Sequence, residues 1–276
     1  RLLDIYAVGV LISNAALFGA CLSIWRITER RWRSTETSDL AVILVLISPV
    51  SFFCSIFYSE AVFLCAVAAC LDFAEQERWA IAGVSGMIAA LARNSGFLLA
   101  VPLLIYFLLP WKRQRDWRQI LWIALPVAGS ALFTLFLWYR FGDPMVFTKA
   151  QLAWGRELTW PWVAFQSGYH NNYIPQFFRI YFKGAALMAG VLLLVAAAVR
   201  ARWAWVSLMI LWPLLYLSTT ILDSLPRYLT TVAPYYPVAA AAATQRWPLA
   251  RYPLLLWSAM LLMISIALFV NGYWFV

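Results

Sequence analysis

Long apolar runs separated by short polar breaks set the rhythm of this chain. Continuous apolar segments fall near 4–25, 40–57, 61–73, 79–92, 96–110, 119–139, 177–199, 204–222, 228–244 and 253–275. Runs of this kind predict membrane-crossing helices. Positions 40–47 and 185–199 are apolar on every side, which excludes the alternating apolar and polar residues of barrel strands. The expectation is an all-α, polytopic membrane protein with about ten membrane segments in one domain spanning 1–276. Segments 61–73 and 79–92 fall short of the ~20 residues a straight crossing takes, so tilted or re-entrant pieces are expected there.

Composition agrees: 64% hydrophobic residues against 12% charged ones, with a mean hydropathy of +0.77, is too apolar for a soluble surface. The net charge of +9 changes the picture only through where it sits. With the first span running inward, the inner loops hold Arg26, Arg30, Arg31, Arg33, Arg78, Lys112, Arg113, Arg115, Arg118, Arg200, Arg202, Arg246 and Arg251, 13 of the 21 basic residues. Arg1, Arg93, Arg140, Lys149, Arg156, Arg179, Lys183 and Arg227 remain outside. The positive-inside rule then puts the N-terminus and the long 140–176 loop on the non-cytoplasmic side. Short basic loops such as Arg30-Arg31-Trp32-Arg33 suit anionic headgroups of membrane lipids, and no nucleic-acid partner is expected. Cys21, Cys54, Cys65 and Cys70 lie in apolar runs without a C-x-x-C pair and read as buried small hydrophobes. His170 stands alone, which argues against a metal site.

An apolar helix has no use for a carboxylate, so polar islands at membrane depth are where chemistry is expected. The first runs from Ser48-Pro49-Val50-Ser51-Phe52-Phe53 to Tyr58-Ser59-Glu60, with a helix-bending proline and Glu60 either opening a helix or facing a ligand. The second is Ala92-Arg93-Asn94-Ser95-Gly96, a forked cation beside backbone N–H groups, suited to phosphate or hydroxyls, or to pairing with Glu60. The third is the 141–172 stretch. In it Gly142-Asp143-Pro144 predicts a turn with Asp143 as N-cap and Pro144 at the first helical position. Phe147, Gln151 and Trp154 would then share a helix face, and Trp160-Pro161-Trp162 and Tyr169-His170-Asn171-Asn172 follow. Tryptophans here serve as an interfacial belt or as surfaces for sugar rings. The fourth is Asp223-Ser224-Leu225-Pro226-Arg227-Tyr228, an arginine at the mouth of an apolar region, fit for the phosphate of a lipid carrier.

Taken in order, Val10-Leu11-Ile12-Ser13-Asn14, Ser48 to Glu60, Ala92 to Gly96, Gly142-Asp143-Pro144 with Ala150-Gln151 and Trp154-Gly155-Arg156, and Pro226-Arg227-Tyr228 resemble the PIG-V-type mannosyltransferases. This is the family of the enzyme that adds the second mannose to the glycosylphosphatidylinositol anchor, and of its bacterial relatives. The resemblance implies a C-type glycosyltransferase fold. Such an enzyme moves a hexosyl unit from a polyprenyl- or dolichyl-phosphate carrier to a glycolipid or similar acceptor on the non-cytoplasmic face, in a bacterial cytoplasmic or an endoplasmic reticulum membrane. It also implies a general-base aspartate in a first outer loop expected upstream of Arg1, Asp143 being a weak substitute. Glu60, Arg93, Asn94, Gln151, Trp154, Arg156, Arg227 and Tyr228 become the expected substrate-binding residues, with no cofactor and no metal. A multi-span transporter or flippase is the alternative, and a structural membrane subunit a third.

Overall fold

A computed structural model of the chain describes residues 4–109, 116–167, 176–222 and 224–273. Arg1, Lys112, Arg113, Arg115, the Tyr169-His170-Asn171-Asn172 stretch and Asp223 lie outside the described residues. Every described element is helical; one isolated antiparallel bridge, Leu158 with Thr219, is the exception.

Helix α1 (Ile5–Trp32) ends where Arg33 turns left-handed at φ 50 and returns its N–H to the Glu29 carbonyl. Arg30 and Arg31 in its last turn oppose the negative end of the helix dipole. Ser34 opens α2 (Thr35–Ile47) by accepting the Thr37 N–H at 3.2 Å. Pro49 bars continuation, and Ser51, in a 3₁₀ turn Ser51–Cys54, donates to the Leu46 carbonyl at 2.7 Å. There follow α3 (Glu60–Glu75), α4 (Trp79–Ala92), a 3₁₀ turn Asn94–Leu99, α5 (Ala100–Leu108), α6 (Ile120–Ile123) and α7 (Leu125–Phe141). Two short helices, α8 (Val146–Ala153) and α9 (Pro161–Ser167), precede α10 (Gln176–Ala198) and α11 (Trp203–Leu217). The chain closes with α12 (Leu225–Thr230), α13 (Tyr235–Ala241) running into a π-helical turn Ala242–Arg246, and α14 (Arg251–Val270).

Helix α1 packs along α3, α3 along α4, and α4 along α7. Glycine makes the last contact possible, since a Cβ on Gly129 of α7 would stand 2.9 Å from the Met87 carbonyl oxygen of α4, and one on Gly83 2.3 Å from the Trp122 carbonyl oxygen of α6. The core is heavy in aromatics: Trp205, Trp212, Phe53 and Phe63 are fully buried. Helix α13 threads the interior, with Val238, Ala240 and Ala241 wholly covered.

Among the described residues, three helices are long and apolar enough to cross a membrane: Ile5–Trp32, Ile180–Ala198 and Pro248–Val270. They become four if the pair Trp117–Ile123 and Leu125–Phe141, bent by 40°, counts as one span. Only 17% of the apolar window of α10 and 6% of that of α14 is buried, with Leu194 and Met263 facing outward. Helices apolar all round and this open are compatible with a lipid surrounding. Two expected segments are broken. The 40–57 run stops at Ile47, and the 228–244 run divides between α12 and α13, where the Tyr236 hydroxyl donates to the Thr230 carbonyl at 2.6 Å.

A charged cluster that the sequence reading passed over closes one end of the bundle. Asp72 and Glu75, one turn apart on α3, are almost fully buried. Arg30 of α1 reaches both, Arg202 lies 2.9 Å from Glu75, and the Tyr106 hydroxyl donates to Glu75 at 2.7 Å. The same end gathers Arg200, whose carbonyl accepts from Arg31, so several of the basic residues expected on one face do meet.

Asp72→Ala takes a buried carboxylate from Arg30 and Gln76, leaving Arg30 with Glu75, and is expected to cost about 1.5–3 kcal/mol, whereas Arg251→Gln, at the exposed pair with Glu36, costs at most about 1 kcal/mol. Thermal unfolding in detergent measures both. Equal melting temperatures for the two variants would contradict the assignment.

Candidate functional site

At the other end of α3, Glu60 occupies the first helical position, and Ser59 before it makes no side-chain cap. The helix start therefore holds but the cap does not, leaving the carboxylate of Glu60 for tertiary partners. Its side chain is 2% exposed. Arg93 donates to Glu60 Oε1 at 2.7 Å, and Arg227 Nε lies 3.1 Å from the same oxygen.

Local structure delivers each partner. Helix α4 stops at Ala92 because Arg93 is extended, and the 3₁₀ turn behind it folds back tightly, the Gly96 N–H bonding to the Arg93 carbonyl at 2.8 Å. Any Cβ on Gly96 would fall 2.4 Å from the Ala90 nitrogen, so this fold-back needs glycine. The expected display of free N–H groups gives way here, since those of Arg93 and Gly96 are bonded internally. Asn94 contributes through its carbonyl, which accepts from Ser130 at 3.1 Å. Arg227 and Tyr228 come from α12, whose opening Leu225-Pro226 favours the first helical turn.

Arg156 arrives from the long loop. The segment after α8 pairs with the end of α11: Thr159 N–H to the Ser218 carbonyl and Thr220 N–H to the Glu157 carbonyl, both at 3.0 Å. So held, Arg156 donates to the Tyr228 hydroxyl at 2.8 Å and to Ser224 at 3.0 Å. Tyr228 is the hub. Its ring stacks on Tyr216 at 4.2 Å and lies 4.5 Å from the Arg93 guanidinium and 5.3 Å from that of Arg227. Cation–π contacts of this kind contribute about 0.5–2 kcal/mol each.

The structure thus brings together Glu60, Arg93, Arg156, Arg227 and Tyr228, with Asn94 at the edge. It leaves Trp154 exposed at the end of α8, outside this cluster, and Gln151 takes part through its carbonyl, which accepts the Trp154 and Arg156 N–H groups. Asp143 sits apart in the surface loop. It binds the Met145 N–H at 2.9 Å as a turn former, and α8 begins at Val146 rather than at Pro144. The Lys149 ammonium, then the Met145 N–H, hold its carboxyl below the usual carboxylate range, which makes it a poor proton acceptor at neutral pH.

Sequence reasoning missed Tyr216, whose hydroxyl pairs with Ser95 at 2.9 Å; a lone tyrosine in an apolar run carries no signal. It also missed why the first motif matters. Ser13 donates to the Tyr58 carbonyl at 3.3 Å and Asn14 to that of Ser55 at 3.0 Å, fastening the segment that leads to Glu60.

Beside this cluster opens a cavity of about 440 Å³, almost wholly apolar in lining, walled by α2, α10, α12, α13 and α14. Pro226, Leu229 and Thr230 of α12 line it, while Arg227 and Tyr228 of the same helix belong to the charged cluster. One short helix therefore separates the arginine cluster from an apolar chamber. Comparison with family models, with curated proteins and with solved structures finds no match for this chain.

Two guanidiniums on one carboxylate, with a third held by the tyrosine beside them, can hold a phosphate or carboxylate group, bidentate where geometry allows. Glu60→Ala leaves Arg93 and Arg227 without their shared counterion and is expected to lower stability by about 3–5 kcal/mol, with Glu60→Gln milder. Unfolding in detergent reads this. An unchanged melting temperature for Glu60→Ala would remove Glu60 from its organising role.

Proposed function

We propose that the chain is a membrane glycosyltransferase of the PIG-V type, a single polytopic domain of about ten membrane segments with the C-type glycosyltransferase fold. It moves a mannosyl or other hexosyl unit from a polyprenyl- or dolichyl-phosphate carrier to a glycolipid acceptor on the non-cytoplasmic face of its membrane. The observation that carries this reading is the meeting of Arg93, Arg156 and Arg227 next to an apolar cavity across α12. That pairing of surfaces suits a ligand with an anionic head and a hydrocarbon tail.

In the reaction, the acceptor hydroxyl attacks the anomeric carbon in line. The bond from that carbon to the phosphate oxygen breaks, and its electron pair leaves with the phosphate. Charge grows on the leaving oxygens as this happens, and fixed guanidiniums stabilise it most in the transition state. Arg227 and Arg93 are assigned to the donor phosphate. Arg156, and the Trp154 and Gln151 segment from which it emerges, are assigned to the sugar or acceptor side. The acceptor's proton goes to a general base not assigned among the residues above.

A flippase or transporter for a lipid-linked substrate is the second reading, favoured by the broken α12–α13 helix at the cavity wall. It differs in leaving the substrate covalently unchanged.

The test supplies the full-length protein in nanodiscs with polyprenyl-phosphate mannose and a series of glycolipid acceptors. Transfer is expected, falling about 100-fold or more in Arg227→Gln and Arg93→Gln with melting temperature monitored in parallel. Absence of transfer to every acceptor, with no donor bound, would overturn the proposal. Vectorial movement of unchanged lipid would establish the second reading.

A further inference from the structure

We infer that the arginine site is charge-matched to a dianion, so that its preferred occupant is an apolar chain ending in a phosphate monoester rather than in a phosphodiester. This rests on the anion-site reading above and narrows its ligand. Among the described residues the cluster contains three guanidiniums, Arg93, Arg156 and Arg227, and one carboxylate, Glu60. Arg93 and Arg227 share Glu60, whereas Arg156 is bonded to two neutral hydroxyls, Tyr228 and Ser224. The sum is three positive charges less one negative, a surplus of two.

This surplus is sheltered: the Arg93 and Arg227 side chains are 14% and 17% exposed. Water and salt compensate such charge poorly, so a ligand must. Arg227 turns its Nε to Glu60 at 3.1 Å, and no hydrogen bond among the described residues takes its two terminal nitrogens, which leaves them for that ligand. A phosphodiester brings one negative charge and leaves one positive charge uncompensated. A phosphate monoester brings about −1.5 to −2 near neutral pH and closes the account. The tail follows from α12, which lines the apolar cavity within one residue of Arg227.

A site so built binds the released carrier phosphate more tightly than the phosphodiester donor. As the anomeric bond to oxygen breaks, the phosphate gains the electron pair and a second charge, while the acceptor's proton passes to the general base. Carrier phosphate is then a strong product inhibitor.

Binding to the full-length protein in phosphatidylcholine nanodiscs tests this with four probes: farnesyl phosphate, farnesyl methyl phosphate, farnesol and inorganic phosphate. At about pH 7.4 the monoester is expected to bind about tenfold or more tighter than the diester, the effect of one charge-assisted hydrogen bond. At about pH 5 the monoester becomes a monoanion and its advantage over the diester shrinks to about threefold or less. Among the described residues, the titratable side chains around the arginines are Glu60 of α3, Cys54 and Tyr58 before it, Tyr216 of α11 and Tyr228 of α12. The diester, measured at both pH values, reports any change in these groups. Arg156→Gln reduces the surplus to one and is expected to abolish the preference while diester binding survives.

Equal or tighter binding of the diester at the higher pH overturns the inference and spares the anion site. Inorganic phosphate binding as tightly as farnesyl phosphate overturns the tail assignment. Failure of every anionic probe to bind overturns the proposed function itself.

Discussion

A carboxylate with almost no water around it must find positive partners, and this requirement at Glu60 organises one end of the molecule. Isolated, the charge would be costly to bury. Shared between Arg93 and Arg227, it fixes the end of α4 and the start of α12 against the start of α3. Tyr228 then follows Arg227 into place, stacks on Tyr216 of α11, and offers its hydroxyl to Arg156. Three elements far apart in the chain are fastened through one oxygen atom, and Tyr228 adds α11 and the Arg156 loop. Even the distant Ser13 and Asn14 serve it, by fixing the segment that delivers Glu60.

Helix α3 carries a second such constraint at its other end. Asp72 and Glu75 lie 12 and 15 residues beyond Glu60, about 18–22 Å along the helix, and bind arginines of α1 and α11. The two ends differ in their balance and in their setting. The Glu60 end has one acid for three arginines, a stacked tyrosine pair, and an apolar cavity alongside. The Asp72 end sets two buried acids against Arg30 and Arg202, with Arg26 at 3.9 Å, and ties helices together. The apolar chamber and the stacked tyrosines beside three arginines set the first end apart from the second, which clasps helices together.

How much of this was legible in the sequence depended on contrast. Glu60, Arg93 and Arg227 stand at the ends of apolar runs, where ionisable residues contrast with hydrocarbon, while Arg156 lies in the long polar loop and is marked by its place in the motif order. Helix α4 runs over Trp79–Ala92, as its apolar run 79–92 predicts. What hydropathy could not convey was continuity: proline and the 231–234 break divide runs that look unbroken when only apolar residues are counted. Asp72 and Glu75 obey the same rule as Glu60, but lie beside the basic turn at Arg78, where a carboxylate reads as ordinary loop charge. Tyr216 gave no sign, because its role comes from a partner in another helix. Trp154 and Gln151 were chosen for residue type and helical spacing, and the turn after α8 aims Arg156 at the cluster instead. The cavity belongs to five helices at once and has no counterpart in any local pattern.

The central claim is that distant polar islands converge on Glu60 to make a site for a lipid-borne phosphate. Its most direct measurement is native mass spectrometry of the full-length protein, purified gently from its own membrane. The account predicts one phosphate-bearing prenyl lipid retained by the wild-type protein, lost in Arg227→Gln and Arg93→Gln, and kept when outward-facing Leu194 or Met263 is changed to Ala. Lipid retained equally by all four variants, or retained lipid that carries no phosphate, would contradict it.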